Sequence, residues 1–313
     1  MRIVGDGGIG YGEASPNAFY NETAEGVEKR LAAVAPLLES LHIRAVADIE
    51  DAWERLWEVL APSRAAQCAL DLAMWDWLAR REGISVAELA WGRAPRSVKT
   101  FCTIGLSSPE ELAEKIEELK GFPLIKIKSD EAADLEPIRT VREATNAQLA
   151  VDANCAWGNH DLPPLSGSLH ELGAIFLEQP LPPGAELQMP RRDRRLPILA
   201  DESCVTLDDV SGIQECFDGF NIKLVKCGGI TPGLKMARLG RELGLQTMVG
   251  CMLESSALIA AGAAVGQSTD YADLDGAWLL GDDPFAGWLF TGGTLTPPSV
   301  SGLGVIPSED LFS

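Results

Sequence analysis

A closed, parallel α/β barrel behind a smaller N-terminal domain is the fold this sequence predicts, on two observations. Short apolar runs ending in reactive side chains recur at nearly constant steps: Lys126-Ile-Lys128, Val151-Asp152-Ala-Asn154, Leu177-Glu178-Gln179-Pro180, Ala200-Asp201-Glu202-Ser203, Asn221-Ile-Lys223 and Asp273-Leu-Asp275. Lys128 to Asp152 is 24 residues, followed by 26 to Glu178, 23 to Asp201, 22 to Lys223 and 50, two such steps, to Asp273. One step is about a strand, a helix and two short loops, and in a barrel the active groups sit at the C-terminal ends of successive strands. The second observation is a β/α alternation that begins near Pro95 and supplies eight strand candidates, enough to close.

Taken in order, the first residues read as the second half of a hairpin, with a Gly7-Gly8 turn and Ile9 to Glu13 alternating into a loop. That strand needs a neighbour, and none is expected before it. Val27, Leu31, Val34 and Leu38, at steps of 4, 3 and 4, predict a helix, and a second passes through Trp53 and Trp57. A third, Arg64 to Arg81, is apolar on nearly every side and should be buried, with Trp75 and Trp77 as core residues. The composition breaks at Trp91-Gly-Arg-Ala-Pro95.

Barrel strands are then expected at Val98–Leu106, Leu124–Lys128, Gln148–Asp152, Ala174–Glu178, Ile198–Asp201, Gly219–Val225, Gln246–Cys251 and Tyr271–Asp273. Ser108-Pro109-Glu110-Glu111 is a capping box with proline at the first helical position, and helix starts are also expected at Thr206 and Thr231. The chain leaves through a Gly/Pro-rich stretch, Gly292 to Pro307. The reading divides into residues 1–96, a capping domain; 97–280, the barrel; and 281–313, a segment returning to the capping domain.

With 46% hydrophobic and 23% charged residues among 313, the chain can bury a full core. Acidic residues outnumber basic ones 46 to 26, and a charge of −20 argues against a nucleic-acid partner. No signal-peptide core and no membrane-length apolar run is visible, so the protein reads as cytoplasmic. Seven cysteines without paired spacing suit neither a disulfide framework nor a zinc ribbon; they read as small buried hydrophobes.

Asp152, Glu178 and Asp201 end three consecutive strands. Three converging carboxylates repel unless a cation joins them, and all-oxygen ligation favours Mg²⁺, with Mn²⁺ as second choice. Lys128 and Lys223 fall on strands two and six, opposite each other in an eight-stranded barrel, placed as acid and base on two faces of one carbon. The metal would stabilise the enediolate left when a carboxylate's α-proton is removed. Lys126 shares the face of Lys128 and receives a supporting electrostatic role. Lys226 is out of strand parity with Lys223, so a supporting role competes with a structural ion pair toward the helices. Of the histidines, only His160 could reach the mouth, and Gly228-Gly229 is more simply a tight turn than an anion cradle.

In this order and spacing, the motifs resemble the enolase superfamily, in its muconate-lactonizing subgroup. The resemblance covers essentially the whole chain, including Ala69 to Asp76 with Asp71, Trp75 and Asp76. It implies a modified (β/α)₇β barrel with an α+β capping domain, Asp152, Glu178 and Asp201 as Mg²⁺ ligands, and Lys128 and Lys223 as the acid/base pair. Asn154, Gln179 and Glu202 are then groups that support the ligands. Asp273-Leu-Asp275 at the eighth strand is similar to the dipeptide epimerases, where the pair holds the substrate's α-ammonium. The likeness is nearest to L-Ala-D/L-Glu epimerases. Family members begin with further strands and a lid loop ahead of the segment matching Gly8 to Glu13, so the resemblance implies a capping domain without its first strands. A Mg²⁺-dependent dipeptide epimerase is expected, with a small-molecule dipeptide as partner, no membrane, and a homo-oligomer left open. The alternatives are an N-acylamino acid racemase or another activity of the subgroup and, from a different class, a catalytically silent binding scaffold lacking the lid.

Overall fold

The computed structural model describes residues 1–312 except 7, 133, 159, 187, 188 and 190–193. Its centre is an eight-stranded parallel sheet built from β4 (Cys102–Ile104), β5 (Leu124–Lys128), β6 (Gln148–Asp152), β7 (Ala174–Glu178), β8 (Ile198–Ala200), β9 (Gly219–Lys223), β10 (Gln246–Gly250) and β11 (Tyr271–Asp273), each beside its sequence neighbour. At the seam between β4 and β11, Phe101 N–H donates to Ala272 O (2.9 Å) and Leu274 N–H to Thr100 Oγ1 (2.6 Å), which brings the sheet nearly to closure.

Side chains two residues apart point to the same face of a strand, and this period sorts the barrel interior into layers. Phe101, Ala150, Phe176, Leu199 and Met248 form a separate buried cluster with Leu124 and Tyr271 packed against it. Phe176 packs on Phe101 at 5.5 Å and on Tyr271 at 5.0 Å between ring centroids. Two residues further along the same strands stand Thr103, Lys126, Asp152, Glu178, Asp201, Gly250 and Asp273. An apolar plug therefore carries the whole reactive layer above it.

Around the barrel run α5 (Pro109–Glu118), α6 (Glu136–Ala144), α7 (Leu162–Glu171), α9 (Ile230–Glu242) and α10 (Ser256–Val265). The capping box of α5 forms as expected: Ser108 Oγ accepts from Glu111 N–H and Ser108 N–H donates to Glu111 Oε2. Three expectations change. The strand expected over Val98–Leu106 serves two sheets: β3 (Val98–Lys99) joins the strand Thr294–Thr296 of the C-terminal segment, and only β4 enters the barrel. The helix expected after Thr206 is two short 3₁₀ turns, Leu207–Asp209 and Gly212–Glu215, because the Asp209 carboxylate folds back onto the Val205 and Thr206 N–H groups and closes the turn at once. The sixth barrel strand stops at Lys223 instead of Val225, where the chain coils into α8 (Leu224–Cys227).

In the N-terminal region, the strand expected to lack a neighbour has one. β1 (Arg2–Gly5) pairs antiparallel with β2 (Gly8–Tyr11), because Ile3 and Val4 extend the alternation back across the turn. Of the expected Gly7-Gly8 turn, Gly7 lies outside the described residues. α1 (Ala24–Leu38), α2 (Val46–Leu60), α3 (Arg64–Glu82) and α4 (Val86–Trp91) follow, and α3 is buried along most of its length.

α3 docks this region on the barrel. Asp71, fully buried, accepts from Thr231 N–H (2.9 Å) and Thr231 Oγ1 (2.6 Å), and Trp75 Nε1 donates to the same Thr231 oxygen (2.9 Å). Gly229 (φ +123°) allows that approach, since a Cβ there would lie 2.3 Å from Asp71 Oδ2. The Gly228-Gly229 pair is thus a landing point for α3 as well as a turn. At the other end of α3, buried Asp76 accepts from Tyr11 N–H (2.9 Å), Leu303 N–H (2.6 Å) and Arg80 Nε (2.8 Å), which ties the hairpin and residues 281–312 to one carboxylate.

Burial lifts the Asp71 pKa from 3.8 to about 7, against the hydrogen bonds from Thr231. A folded-state pKa above the unfolded one means that stability present below pH 3.8 is lost as pH rises toward 7. Asp71→Asn should therefore flatten the fall in melting temperature between about pH 4 and pH 7, measured by calorimetry against the parent protein.

Candidate active site

The reactive layer opens into a cavity of about 380 Å³ at the C-terminal end of the barrel strands. Lys126, Lys128, Lys223, Asn154, Glu202, Asp273 and Asp275 all line it, and Asn17, Phe19 and Tyr20 reach it from the N-terminal region. Lys128 and Lys223 come from β5 and β9, four strands apart in a sheet of eight, and so enter from opposite walls.

Every carboxylate of the layer is met by a lysine or an amide. Lys128 Nζ lies 2.6 Å from Asp152 Oδ2 and 2.7 Å from Asn154 Oδ1. Lys126 Nζ bridges Asp152 (3.3 Å), Glu178 (3.2 Å) and, in a short contact, Asp273. Lys223 Nζ donates to Asp201 Oδ2 (2.8 Å) and Lys226 Nζ to Asp201 Oδ1 (2.5 Å). Lys226 also meets the carbonyls of Asp201 (2.6 Å), Cys204 (3.2 Å) and Asn221 (3.2 Å). The parity expected for Lys226 fails because the strand has already ended. From α8 its side chain turns back beneath Asp201 instead of toward the outer helices.

These groups perturb one another strongly. Burial works against the charge of Asp152, yet Lys126 and Lys128 hold its pKa below the ordinary value; for Asp201, Lys223 and Lys226 do the same more forcefully. Burial would lower the Lys223 pKa, but the Asp201 and Glu178 carboxylates outweigh it, and the ammonium is held above its ordinary value. In this arrangement the carboxylates that Lys223 faces at close range favour its charged form. Glu178 and Asp275 are pushed up, first by burial and then by the neighbouring Asp152 and Asp273 carboxylates respectively.

Those upward shifts bear on a metal. Among the described residues no three His, Cys, Asp or Glu side chains are already gathered as ligands around one point, since the ammonium groups stand among the carboxylates. The donor set nonetheless fits a hard divalent cation. Asp152, Glu178 and Asp201 are buried, supply only oxygen, and feel each other's charge. Six site carboxylates (these three with Glu202, Asp273 and Asp275) face the four lysines 126, 128, 223 and 226, an excess of two negative charges that one divalent ion would neutralise.

Two of the three residues expected to support the ligands, and Cys155 beside them, have a backbone geometry that side chains rarely adopt. Asn154 (φ 41°), Cys155 (φ 69°) and Gln179 (φ 36°) are left-handed. Gln179 uses its whole amide: Oε1 accepts from Asp201 N–H (2.8 Å) and Ser203 N–H (3.1 Å), and Nε2 donates to Leu181 O and Ser203 Oγ, both at 2.7 Å. Asn154 Nδ2 donates to Glu202 Oε1 (3.3 Å). Burial pushes the Cys155 thiol up to about 12, in keeping with cysteines that take no nucleophilic part. All seven are free thiols. His160 is exposed and does not line the cavity.

Neighbours of the site that went unassigned in the sequence include Asn221, Thr103 and Tyr20. Asn221, in parity with Lys223, donates to Glu178 Oε1 (2.7 Å), and Gly250 leaves it room, since a Cβ there would lie 2.5 Å from Asn221 Oδ1. Thr103 donates to Asp275 through its N–H (2.6 Å) and to Asp273 through its hydroxyl (3.4 Å). Parity could have found both. Nothing local marks Tyr20, which arrives from another part of the fold.

Residues 1–90 match the model of the mandelate racemase/muconate lactonizing enzyme N-terminal domain, and residues 110–311 that of the enolase C-terminal domain-like family. The chain is 37% identical over 309 residues to an L-Ala-D/L-amino acid epimerase of Flavobacterium johnsoniae, covering 97% of this chain and 90% of that protein. It is 38% identical over 321 residues to a hydrophobic dipeptide epimerase of Roseobacter litoralis, covering 99% and 91%. The chain belongs to the dipeptide epimerase family of the enolase superfamily. It is an isomerase. A dipeptide epimerase from Methylococcus capsulatus, solved with Mg and the dipeptide L-Arg-D-Lys, superposes with a TM-score of 0.88 at 34% identity, covering 97% of this chain and 90% of that one. No helix among the described residues of the epimerase is long and apolar enough to cross a membrane.

Gln179→Ala in the epimerase should cost about 2–4 kcal/mol of stability, because it strands buried N–H groups of Asp201 and Ser203 without an acceptor. The measurement is urea unfolding monitored by circular dichroism.

Proposed function

We propose that the protein inverts the α-carbon of the C-terminal residue of a dipeptide by a 1,1-proton transfer between Lys128 and Lys223. The observation that supports this reading is the entry of those two side chains into one cavity from opposite walls. One lysine, neutral, takes the α-proton from one face while the other, charged, returns a proton to the opposite face; reversal of the roles epimerises the opposite isomer. The partners that pair with the lysines here, Asp152 and Asn154 on one side and Asp201 on the other, also orient them.

Asp152, Glu178 and Asp201 would hold Mg²⁺, with Mn²⁺ as the second choice. When bound, the ion supplies charge neutralisation at the substrate carboxylate, which acidifies the α-proton. Asp273 and Asp275 would receive the substrate's α-ammonium on the far side, an arrangement suited to a free amine and not to an N-acyl group. Lys126, bridging Asp152, Glu178 and Asp273, keeps these acids together before substrate arrives. Lys226 fixes Asp201 from beneath. Seven free thiols and the absence of a membrane-spanning helix among the described residues support a cytoplasmic setting.

Lys128→Ala and Lys223→Ala should each lower kcat by at least about 10³-fold. In D₂O, each variant should retain α-proton exchange with only one of the two epimers, read by NMR. Turnover at the parental rate in either variant, or exchange of both epimers, would rule the two-base scheme out. Separately, millimolar Mg²⁺ should raise the melting temperature by several degrees through binding to the folded state, and Glu178→Gln should remove that rise.

A further inference from the structure

We propose that the dipeptide this protein acts on carries uncharged, apolar side chains at both positions, selected by Phe19, Leu253 and Leu279. The inference rests on the dipeptide epimerase reading and deepens it. The floor of the cavity is charged, but its rim is not. Phe19 (59% exposed), Leu253 (64%) and Leu279 (42%) all line the opening and all show apolar surface to solvent. Exposed large apolar side chains gathered around one concavity mark a surface that is covered when a ligand binds.

Charge complementarity points the same way. The three lysines lining the cavity each already have a carboxylate at hydrogen-bond distance: Lys126 on Asp273 and Glu178, Lys128 on Asp152, and Lys223 on Asp201. Among the described lining residues no cation is left for a substrate's side-chain carboxylate. Nor is an open acid left for a cationic side chain. Glu202 accepts from Asn154 through Oε1, and its Oε2 is shut away from solvent. Asp273 and Asp275, on the proposed reading, are committed to the substrate's α-ammonium and so are not available to a second cation. A charged side chain would lose its hydration against this rim with nothing in return.

The rim spans both ends of the substrate. Tyr20 feels the charges of Asp201 and Lys223, and its ring meets Phe19 at 5.0 Å, which puts this pair on the side of the reacting carbon. Leu253 follows Cys251 by two residues and Leu279 follows Asp275 by four, and Cys251 Sγ is 4.0 Å from Asp275 Oδ1, which assigns this pair to the ammonium end. The rim is also held in place. Ser15 Oγ donates to Leu253 O (3.1 Å), and Glu13 accepts from Ser255 N–H (2.8 Å), Ser255 Oγ (2.5 Å) and Leu258 N–H (3.1 Å), clamping the segment before Phe19 onto the start of α10.

The test compares kcat/KM of the full chain with Mg²⁺ on L-Ala-L-Leu, L-Ala-L-Glu and L-Ala-L-Lys, and on L-Leu-L-Ala, L-Glu-L-Ala and L-Lys-L-Ala. The apolar member of each set should exceed the charged ones by at least about tenfold; a charged member equal to it or better overturns the proposal. Phe19→Arg should shift the Glu-to-Leu ratio in the first set, and Leu279→Arg that in the second, by about tenfold toward Glu. A ratio unmoved in both variants, with the melting temperature preserved, overturns the assignment to the rim. Absence of both turnover and α-deuterium incorporation with all six peptides is the distinct result that overturns the epimerase reading, and this inference with it.

Discussion

Ten ionisable side chains packed above an apolar plug set the terms for the rest of the molecule. Carboxylates 152, 178, 201, 202, 273 and 275 and lysines 126, 128, 223 and 226 share a space that excludes water from most of them. A buried charge is tolerable only when it is paired and hydrogen-bonded, and breaking a pair costs more than never having formed it. The pairs are therefore held from outside the layer: Gln179 spans Asp201 and Ser203, Asn221 reaches Glu178, and Thr103 ties Asp275 and Asp273 to the first barrel strand. The formal excess of carboxylates over lysines, which together with burial raises the pKa values of Glu178 and Asp275, is the physical basis for a cation at this site.

The N-terminal region belongs to the same constraint. A barrel mouth lined by charge is open to water unless something covers it, and the cover must be placed accurately. Asp71 against Thr231, with the glycine pair beneath, anchors one end of the cover; Glu13 on the start of α10 anchors the other. Phe19 and Tyr20, held between these anchors, bring aromatic surface to the rim. On the proposed reading, chemistry falls to the barrel and selection to the cover and the rim loops.

The barrel strands were legible because their period is physical. A strand facing both a barrel interior and a helix layer reads as a short apolar run, and its C-terminal end is where a polar side chain emerges, so spacing of about 24 residues exposes the repeat. The reading failed where a local rule met a change of backbone. Lys226 was judged by strand parity, but the chain had turned into a helix one residue past Lys223. The strand from Val98 was read as one element, though Thr100 N–H pairs with Gly293 and hands the chain from one sheet to another. At the start of the chain, β1 was overlooked because four residues before a turn carry little pattern.

What the sequence by itself determined is the reactive layer: which residues end the strands, their order around the barrel, and the opposition of Lys128 and Lys223. Each follows from a period of two within strands and of about 24 between them, so near neighbours in the chain suffice to see it. What only the tertiary structure decided is how these groups are charged and what covers them. Whether Lys223 is charged depends on Asp201 and Glu178, and the rim proposed to meet the substrate joins Phe19 to Leu253 and Leu279, more than two hundred residues away. Electrostatics and surface shape depend on distance in space, and separation along the chain does not encode it.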